Sequence, residues 1–170
     1  MRFTSFIFGL FFLCPNGLWS AETTQSQSLP ITIQADSATV SESLGRSEYI
    51  GNVVIEQGAL KMMADRVILT SYDGDLESIT ASVDGGSNSA RFEQARTDRY
   101  PAISASANSI EYQIAVEILV LTGEAVLVQG ADRYAGNRLS YDLGSGLFQV
   151  ESDGSDQDRI NLIINPRPKP

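Results

Sequence analysis

An internal repeat with an offset of 72 residues constrains the fold of this chain more than any other feature of its sequence. The stretch GNVVIEQG, which begins at Gly51, returns as GEAVLVQG, which begins at Gly123. The offset pairs ten identical residues between segments 31–74 and 103–146 without a gap. A fainter echo recurs after 29 residues within each half. We therefore expect two copies of a unit that is itself roughly doubled.

Apolar and polar residues alternate with a period of two, which is the period of a β-strand. Ile31 and Ile33 alternate with Thr32 and Gln34, and the run IEYQI at 110–114 behaves in the same way. Gly and Asp-Gly pairs punctuate these runs at positions suited to tight turns. No stretch beyond the N-terminus shows a convincing helical stripe. The sequence predicts an all-β fold with about a dozen or more short strands.

Two runs are apolar at odd and even positions alike, which is typical of strands covered on both faces. They are NVVI at 52–55 and EILVLTG at 117–123. We expect both copies of the opening motif to be strands in the middle of the sheet, each ended by a Gln-Gly turn. Ordinary core packing is the simplest role for Val53, Ile55 and Leu127.

Residues 1–21 have the pattern of a cleaved export signal. Arg2 precedes an apolar run at 3–13, and small residues follow near position 21. A membrane anchor is the first alternative, but a spanning helix needs about 20 apolar residues. Lipid attachment at Cys14 is the second, although Leu13 stands where such signals need a small residue. We expect one domain at 22–165 and a Pro-rich tail at 166–170.

The composition argues against catalysis and against nucleic acid. The chain has no His, and its one cysteine would leave with the signal. The mature chain would thus lack the usual general base, thiolate metal ligands and any Ser-His-Asp arrangement. Twelve Lys and Arg against twenty-one Asp and Glu give a net charge of −9, which repels nucleic acid. We expect no enzyme activity, no cofactor and no metal.

Four stretches together resemble the OstA-like family of periplasmic lipopolysaccharide-transport proteins. They are ITIQAD at 31–36, GNVVIEQGALKMMADRV at 51–67, ARFEQ at 90–94, and SIEY followed by LTGEAVLVQG within 109–130. The likeness extends over almost the whole mature chain, up to about Phe148. It implies a twisted, partly open antiparallel β-jelly roll with an apolar interior, here built from the 72-residue repeat.

The same resemblance implies a periplasmic carrier of lipopolysaccharide. Such a carrier would hold the acyl chains of lipid A in an apolar trough and leave the sugar headgroup in water. It would also bridge inner-membrane-anchored and outer-membrane transport components. Two segments depart from the family pattern. They are RTDRYP at 96–101 and the short end NPRPKP at 165–170.

The resemblance and the strand period together supply candidate site residues. The lipid-facing candidates are Ile31, Ile33, Phe92, Tyr112 and Ile114. A filled core position is the alternative role for each of them.

Partner docking is expected at two unpaired edge strands, because such strands invite addition of a partner's strand. The candidates lie in the first strand and in RINLIIN at 159–165, and they are Ile31, Ile33, Ile160, Leu162 and Ile164. Pairing of these different edges is heterologous, so it would build a head-to-tail homo-oligomer.

An exported carbohydrate-binding module or enzyme domain is the alternative reading. A glycosidase needs paired carboxylates, but the spacing of Asp65, Glu93 and Glu111 singles out no pair. A sugar binder would be expected to expose several aromatic residues, and Trp19 would leave with the signal.

Overall fold

The structure is a computed structural model, and it describes residues 29–85, 88–152 and 160–166. These residues form twelve β-strands and one short 3-10 helix, Glu42–Leu44. The strands are β1 (Thr32–Gln34), β2 (Ser37–Ser41), β3 (Arg46–Gln57), β4 (Leu60–Tyr72), β5 (Asp75–Ser82), β6 (Ala90–Gln94), β7 (Ile103–Ala107), β8 (Ser109–Gln113), β9 (Ile118–Gln129), β10 (Asp132–Asp142), β11 (Phe148–Glu151) and β12 (Asn161–Ile163). The expected all-β fold is confirmed. The expected signal at 1–21 and most of the tail lie outside the described residues.

Four strands are much longer than the short strands expected from the sequence. β3, β4, β9 and β10 contain 11 to 13 residues, and each passes through a shift of pairing register near its middle. On β3 the shift lies between Ile50 and Val53, and on β10 it lies between Gly136 and Arg138. A bulge of this kind bends a strand without ending it. The bulges form a line across the sheet, which we call the spine.

The spine divides the sheet into two half-sheets. Half-sheet A contains β2, the first part of β3, the second part of β4, β5, β8, the first part of β9, the second part of β10, and β11. Half-sheet B contains β1, the other parts of the four long strands, β6, β7 and β12. Every pairing is antiparallel, and each half-sheet follows the chain in order, as a meander does. This strand order does not confirm the jelly-roll form.

The pairing registers repeat with the offset found in the sequence. Ile33 pairs with Ile55, and 72 residues later Ala105 pairs with Leu127. The register shift between β3 and β4 recurs in the same way between β9 and β10. The agreement ends toward the edge of the sheet. Leu69 pairs with Ile79, so the 72-residue offset predicts that Tyr141 pairs with residue 151. Tyr141 pairs with Phe148 instead.

The two half-sheets face each other across one hydrophobic core. Phe92 of half-sheet B lies 6.0 Å from Tyr112 of half-sheet A, measured between ring centroids. Gln129 Nε2 donates a hydrogen bond to the Tyr141 hydroxyl over 3.1 Å, again between the half-sheets. The largest fully buried side chains come from both half-sheets and include Tyr141, Phe92, Ile55, Met62, Ile79, Ile110, Leu119, Leu121 and Leu127. The apolar run in β9 is covered on both faces, as expected.

The repeated motif begins with a glycine because Gly51 lies at the spine, where a larger side chain would clash. Gly51 has a φ of +84°, and a Cβ added there would lie 2.3 Å from Asp36 Oδ2. The Asp36 amide donates to the Gly51 carbonyl at 3.0 Å, and Asn52 Nδ2 donates to Asp36 Oδ2 at 3.0 Å. The second copy repeats the bend, since the Asn108 amide donates to the Gly123 carbonyl at 2.8 Å.

Replacement of Gly51 by alanine is expected to lower the free energy of unfolding by about 3 kcal/mol, because backbone strain adds to the clash with Asp36. Gly74→Ala is the matched control, since Gly74 has a φ of +87° and open space around its Cβ position. The control should cost about 1 kcal/mol, from strain alone. Urea unfolding of both variants measures the difference. Equal losses would contradict the close approach at the spine.

Candidate functional site

The candidate site is the space between the half-sheets, which is closed at the spine and bordered on the opposite side by two rims. Rim A consists of the turns β2–β3, β4–β5, β8–β9 and β10–β11. Rim B consists of the connections β3–β4, β6–β7 and β9–β10. Inner-face side chains of the central strands point into this space with the period of two seen in the sequence, whereas every residue of β12 is exposed. The arrangement is an apolar interior that is bounded by the spine on one side.

Phe92 and Tyr112 lie at the centre of this interior. Phe92 is fully buried, whereas Tyr112 is partly buried and packs against the core. Burial raises the pKa of the Tyr112 hydroxyl, since the charged form is disfavoured away from water. The structure therefore brings these two predicted residues together. Their apolar contact fills the space that a ligand would need.

Ile31, Ile33 and Ile114 are partly buried and pack against the same core. Ile31 and Ile33 lie at the β1 end of half-sheet B, and Ile114 follows β8 in half-sheet A. All five predicted lipid-facing side chains thus contact one interior. Their lipid-binding role stays a prediction.

The two predicted docking edges lie at opposite ends of the sheet. Among the described residues, β1 pairs with β3 and β12 pairs with β10, so each has one open side. Ile160, Leu162 and Ile164 are exposed to 46%, 45% and 64%. The late strand is shorter than expected, because β12 spans Asn161–Ile163 and leaves Ile160 and Ile164 outside it. The docking role of these edges stays a prediction.

Among the described residues, a polar contact that sequence reasoning missed joins the two rims. The Tyr100 hydroxyl, in the β6–β7 connection of rim B, donates to Glu117 Oε1 of rim A at 2.7 Å. Arg99 Nη2 lies 2.9 Å from the same oxygen, and the Arg99 guanidinium lies 5.0 Å from the centroid of the Tyr100 ring. Burial and the hydrogen bond to Glu117 raise the pKa of Tyr100 to about 12.

The sequence did contain a signal for this contact. Arg99 and Tyr100 belong to RTDRYP, the segment that departs from the family pattern. Under the 72-residue offset, Glu117 corresponds to Gly45. The two residues differ, so this pair is not among the ten identical pairs that define the repeat.

Within the parts of the chain that the structure describes, no group of three or more His, Cys, Asp and Glu residues could hold a metal ion. No helix in those parts has the length and hydropathy that a membrane span requires. Arg66 forms ion pairs with Glu48 and Asp84 on half-sheet A, so these charges pair with one another within the sheet.

Comparison with known proteins shows relatives along most of the chain. The chain is 28% identical over 146 residues to the lipopolysaccharide export system protein LptH of Pseudomonas aeruginosa, covering 82% of this chain and 81% of LptH. It is 30% identical over 137 residues to the lipopolysaccharide export system protein LptA of Escherichia coli K12, covering 81% of this chain and 71% of LptA.

A solved structure agrees with the fold. The crystal structure of LptH from Pseudomonas aeruginosa is described as the LptA homologous periplasmic component of the conserved lipopolysaccharide transport device. It matches with a TM-score of 0.72 and 26% identity, covering 81% of this chain and 96% of that one.

The family described as LptA/(LptD N-terminal domain) LPS transport protein matches residues 32–147. This match confirms the resemblance found in the sequence. The relatives are transport proteins, which confirms the expectation that the chain is not an enzyme. The chain belongs to the LptA/(LptD N-terminal domain) family of LPS transport proteins.

Proposed function

We propose that this chain carries lipopolysaccharide across the periplasm with the lipid A acyl chains held between its two half-sheets. The observation that carries the proposal is the shared apolar interior of two half-sheets joined along a spine of bulges. Family membership supports the ligand class. LptH from Pseudomonas aeruginosa is a periplasmic component, and this, together with the signal expected at 1–21, supports the location.

A water-filled space between the half-sheets could not hold the acyl chains. Exposure of one twelve-carbon chain to water costs roughly 10 kcal/mol at about 0.8 kcal/mol per CH₂. The carrier must therefore replace water with apolar surface along the whole chain. The inner faces of the half-sheets supply such surface at Phe92, Tyr112, Ile31 and Ile33.

Entry of acyl chains requires the half-sheets to part. Phe92, Met62 and Ile110 are fully buried, so a ligand must replace contacts that the half-sheets now make with each other. The exchange is nearly balanced, because one apolar contact takes the place of another. The strands stay hydrogen-bonded within each half-sheet, and the motion is confined to the bends at the spine.

The two open edges fit a bridging role. Addition of a strand at β1 from one side and at β12 from the other would continue the sheet in both directions. The partners would be the inner-membrane-anchored and outer-membrane transport components, or a further copy of this chain in a head-to-tail homo-oligomer. A continuous apolar interior would then cross from one component to the next.

A carbohydrate-binding module was the alternative, and no contact in the described structure favours it. The exposed large apolar residues are chiefly aliphatic, whereas sugar binding relies on aromatic faces. Asp65, Glu93 and Glu111 lie on separate strands, β4, β6 and β8.

Photo-crosslinking locates the lipid. A benzoylphenylalanine at Tyr112 or Ile33 should crosslink to hexa-acylated lipopolysaccharide, because both side chains pack against the interior. The matched controls are Glu111 and Thr32, which neighbour these residues and point to the opposite face. The crosslinked product is detected by an anti-lipopolysaccharide blot.

Crosslinks from Tyr112 and Ile33 with deacylated lipopolysaccharide should be absent. Equal labelling at Glu111 and Thr32 would place the lipid on the outer face and contradict the proposed interior site.

Disulfide trapping tests the bridging edges. Two single-cysteine variants, Ile33→Cys and Leu162→Cys, are made in the chain from residue 22, which has no other cysteine. When they are mixed and oxidised, the heterologous product should exceed either homodimer by roughly tenfold, because β1 and β12 face each other in head-to-tail pairing. Mass spectrometry of the linked species gives the ratio. A surplus of Ile33→Cys homodimer would show a two-fold symmetric contact instead.

A further inference from the structure

Glu117 occupies a backbone conformation that normally belongs to glycine. Its φ is +57°, and under the 72-residue offset it corresponds to Gly45, whose φ is also +57°. The two carbonyls play the same part, since the Ser71 amide donates to Gly45 at 2.7 Å and the Leu143 amide donates to Glu117 at 3.0 Å. The second copy of the repeat therefore keeps a carboxylate where the first copy has no side chain, at a cost in backbone strain.

A strained side chain that persists usually serves a contact. The Glu117 carboxylate accepts hydrogen bonds from Tyr100 and Arg99, which come from the opposite rim. Glu117 is anchored in rim A by Leu143, and Tyr100 is anchored in rim B, where its amide donates to Thr97 Oγ1 at 2.9 Å. The contact thus joins two elements that are each held by their own half-sheet.

We propose that Arg99, Tyr100 and Glu117 form a latch that holds the rims together and limits the rate at which acyl chains enter. The inference rests on the proposed function, because it assigns a control to the same interior. The half-sheets cannot part beside β8 and β9 without breaking the bond from Tyr100 to Glu117.

The latch is suited to repeated opening. Its side chains are 69% exposed at Arg99 and 24% exposed at Glu117, so water can replace each bond when it breaks. Gly45 has no side chain, so the equivalent place in the first copy cannot carry this latch. Resistance to parting is therefore concentrated at the β6–β10 part of the sheet, where Gln129 also donates a hydrogen bond to Tyr141, away from the β1 edge.

Stopped-flow loading of an apolar fluorescent probe measures the latch. Glu117→Gly restores the glycine found in the other copy, and Tyr100→Phe removes the hydroxyl alone. Both variants should load the probe roughly tenfold faster, the factor expected from loss of one charged hydrogen bond. Asp73→Gly is the matched control, because Asp73 also has a positive φ, of +51°, but lies exposed in the β4–β5 turn, away from Tyr100 and from the spine. It should load at the wild-type rate.

A chemical tether tests the latch in the opposite direction. Arg99→Cys and Glu117→Cys joined by a short bismaleimide should block loading before addition of the probe and slow release after it. Glu56→Cys and Lys61→Cys joined in the same way tether two strands of half-sheet B, where Lys61 Nζ lies 2.9 Å from Glu56 Oε1, and should leave both rates unchanged.

The outcomes separate this inference from the proposed function. Unchanged loading in Glu117→Gly, Tyr100→Phe and the rim tether, or no loading in any form, would overturn the latch. Faster loading in Glu117→Gly and Tyr100→Phe, but not in Asp73→Gly, supports it whatever the natural ligand. Failure of lipopolysaccharide to displace a loaded probe would overturn the proposed function and leave the latch standing.

Discussion

The bend at the spine is the constraint on which the rest of the structure depends. Gly51 and Gly123 take positive φ values, and the backbone of Asp36 and Asn108 closes against them. Because each long strand bends there and continues, one antiparallel sheet supplies both walls of its own core. Any side chain larger than hydrogen at these glycines would meet the neighbouring Asp or Asn. The motif is thus repeated in the sequence because the bend is repeated in the structure.

This construction separates two kinds of bond. Backbone hydrogen bonds join neighbouring strands within each half-sheet, whereas the contacts between half-sheets are chiefly apolar. Backbone bonds have fixed geometry, but apolar contact is non-directional and can be exchanged for contact with another apolar surface. The proposed entry of lipid chains would therefore cost no strand pairing. Tyr100 with Glu117, and Gln129 with Tyr141, form directional bonds between the half-sheets, which the proposed opening would have to break.

The sequence predicted those features that follow from local period and from the repeat. Alternation in ITIQ and IEYQI predicted the inward faces of Ile33 and Tyr112, because side chains on a strand change face at every residue. The bends were missed, since a glycine inside an apolar run has the same appearance as one that ends a strand. The contact of Tyr100 with Glu117 was missed for another reason. It joins two connections on opposite rims, and no periodicity relates a loop to its partner across a fold.

We propose that the half-sheets part about the spine to admit acyl chains. Spin labels at Val116→Cys on rim A and Ala131→Cys on rim B, two exposed positions, would report the separation of the rims. Pulsed electron resonance on the chain from residue 22 should show a longer distance with lipopolysaccharide and no change with its deacylated form. An unchanged distance in protein that has bound lipopolysaccharide would contradict the account, because the filled interior has no room for acyl chains while the rims stay together.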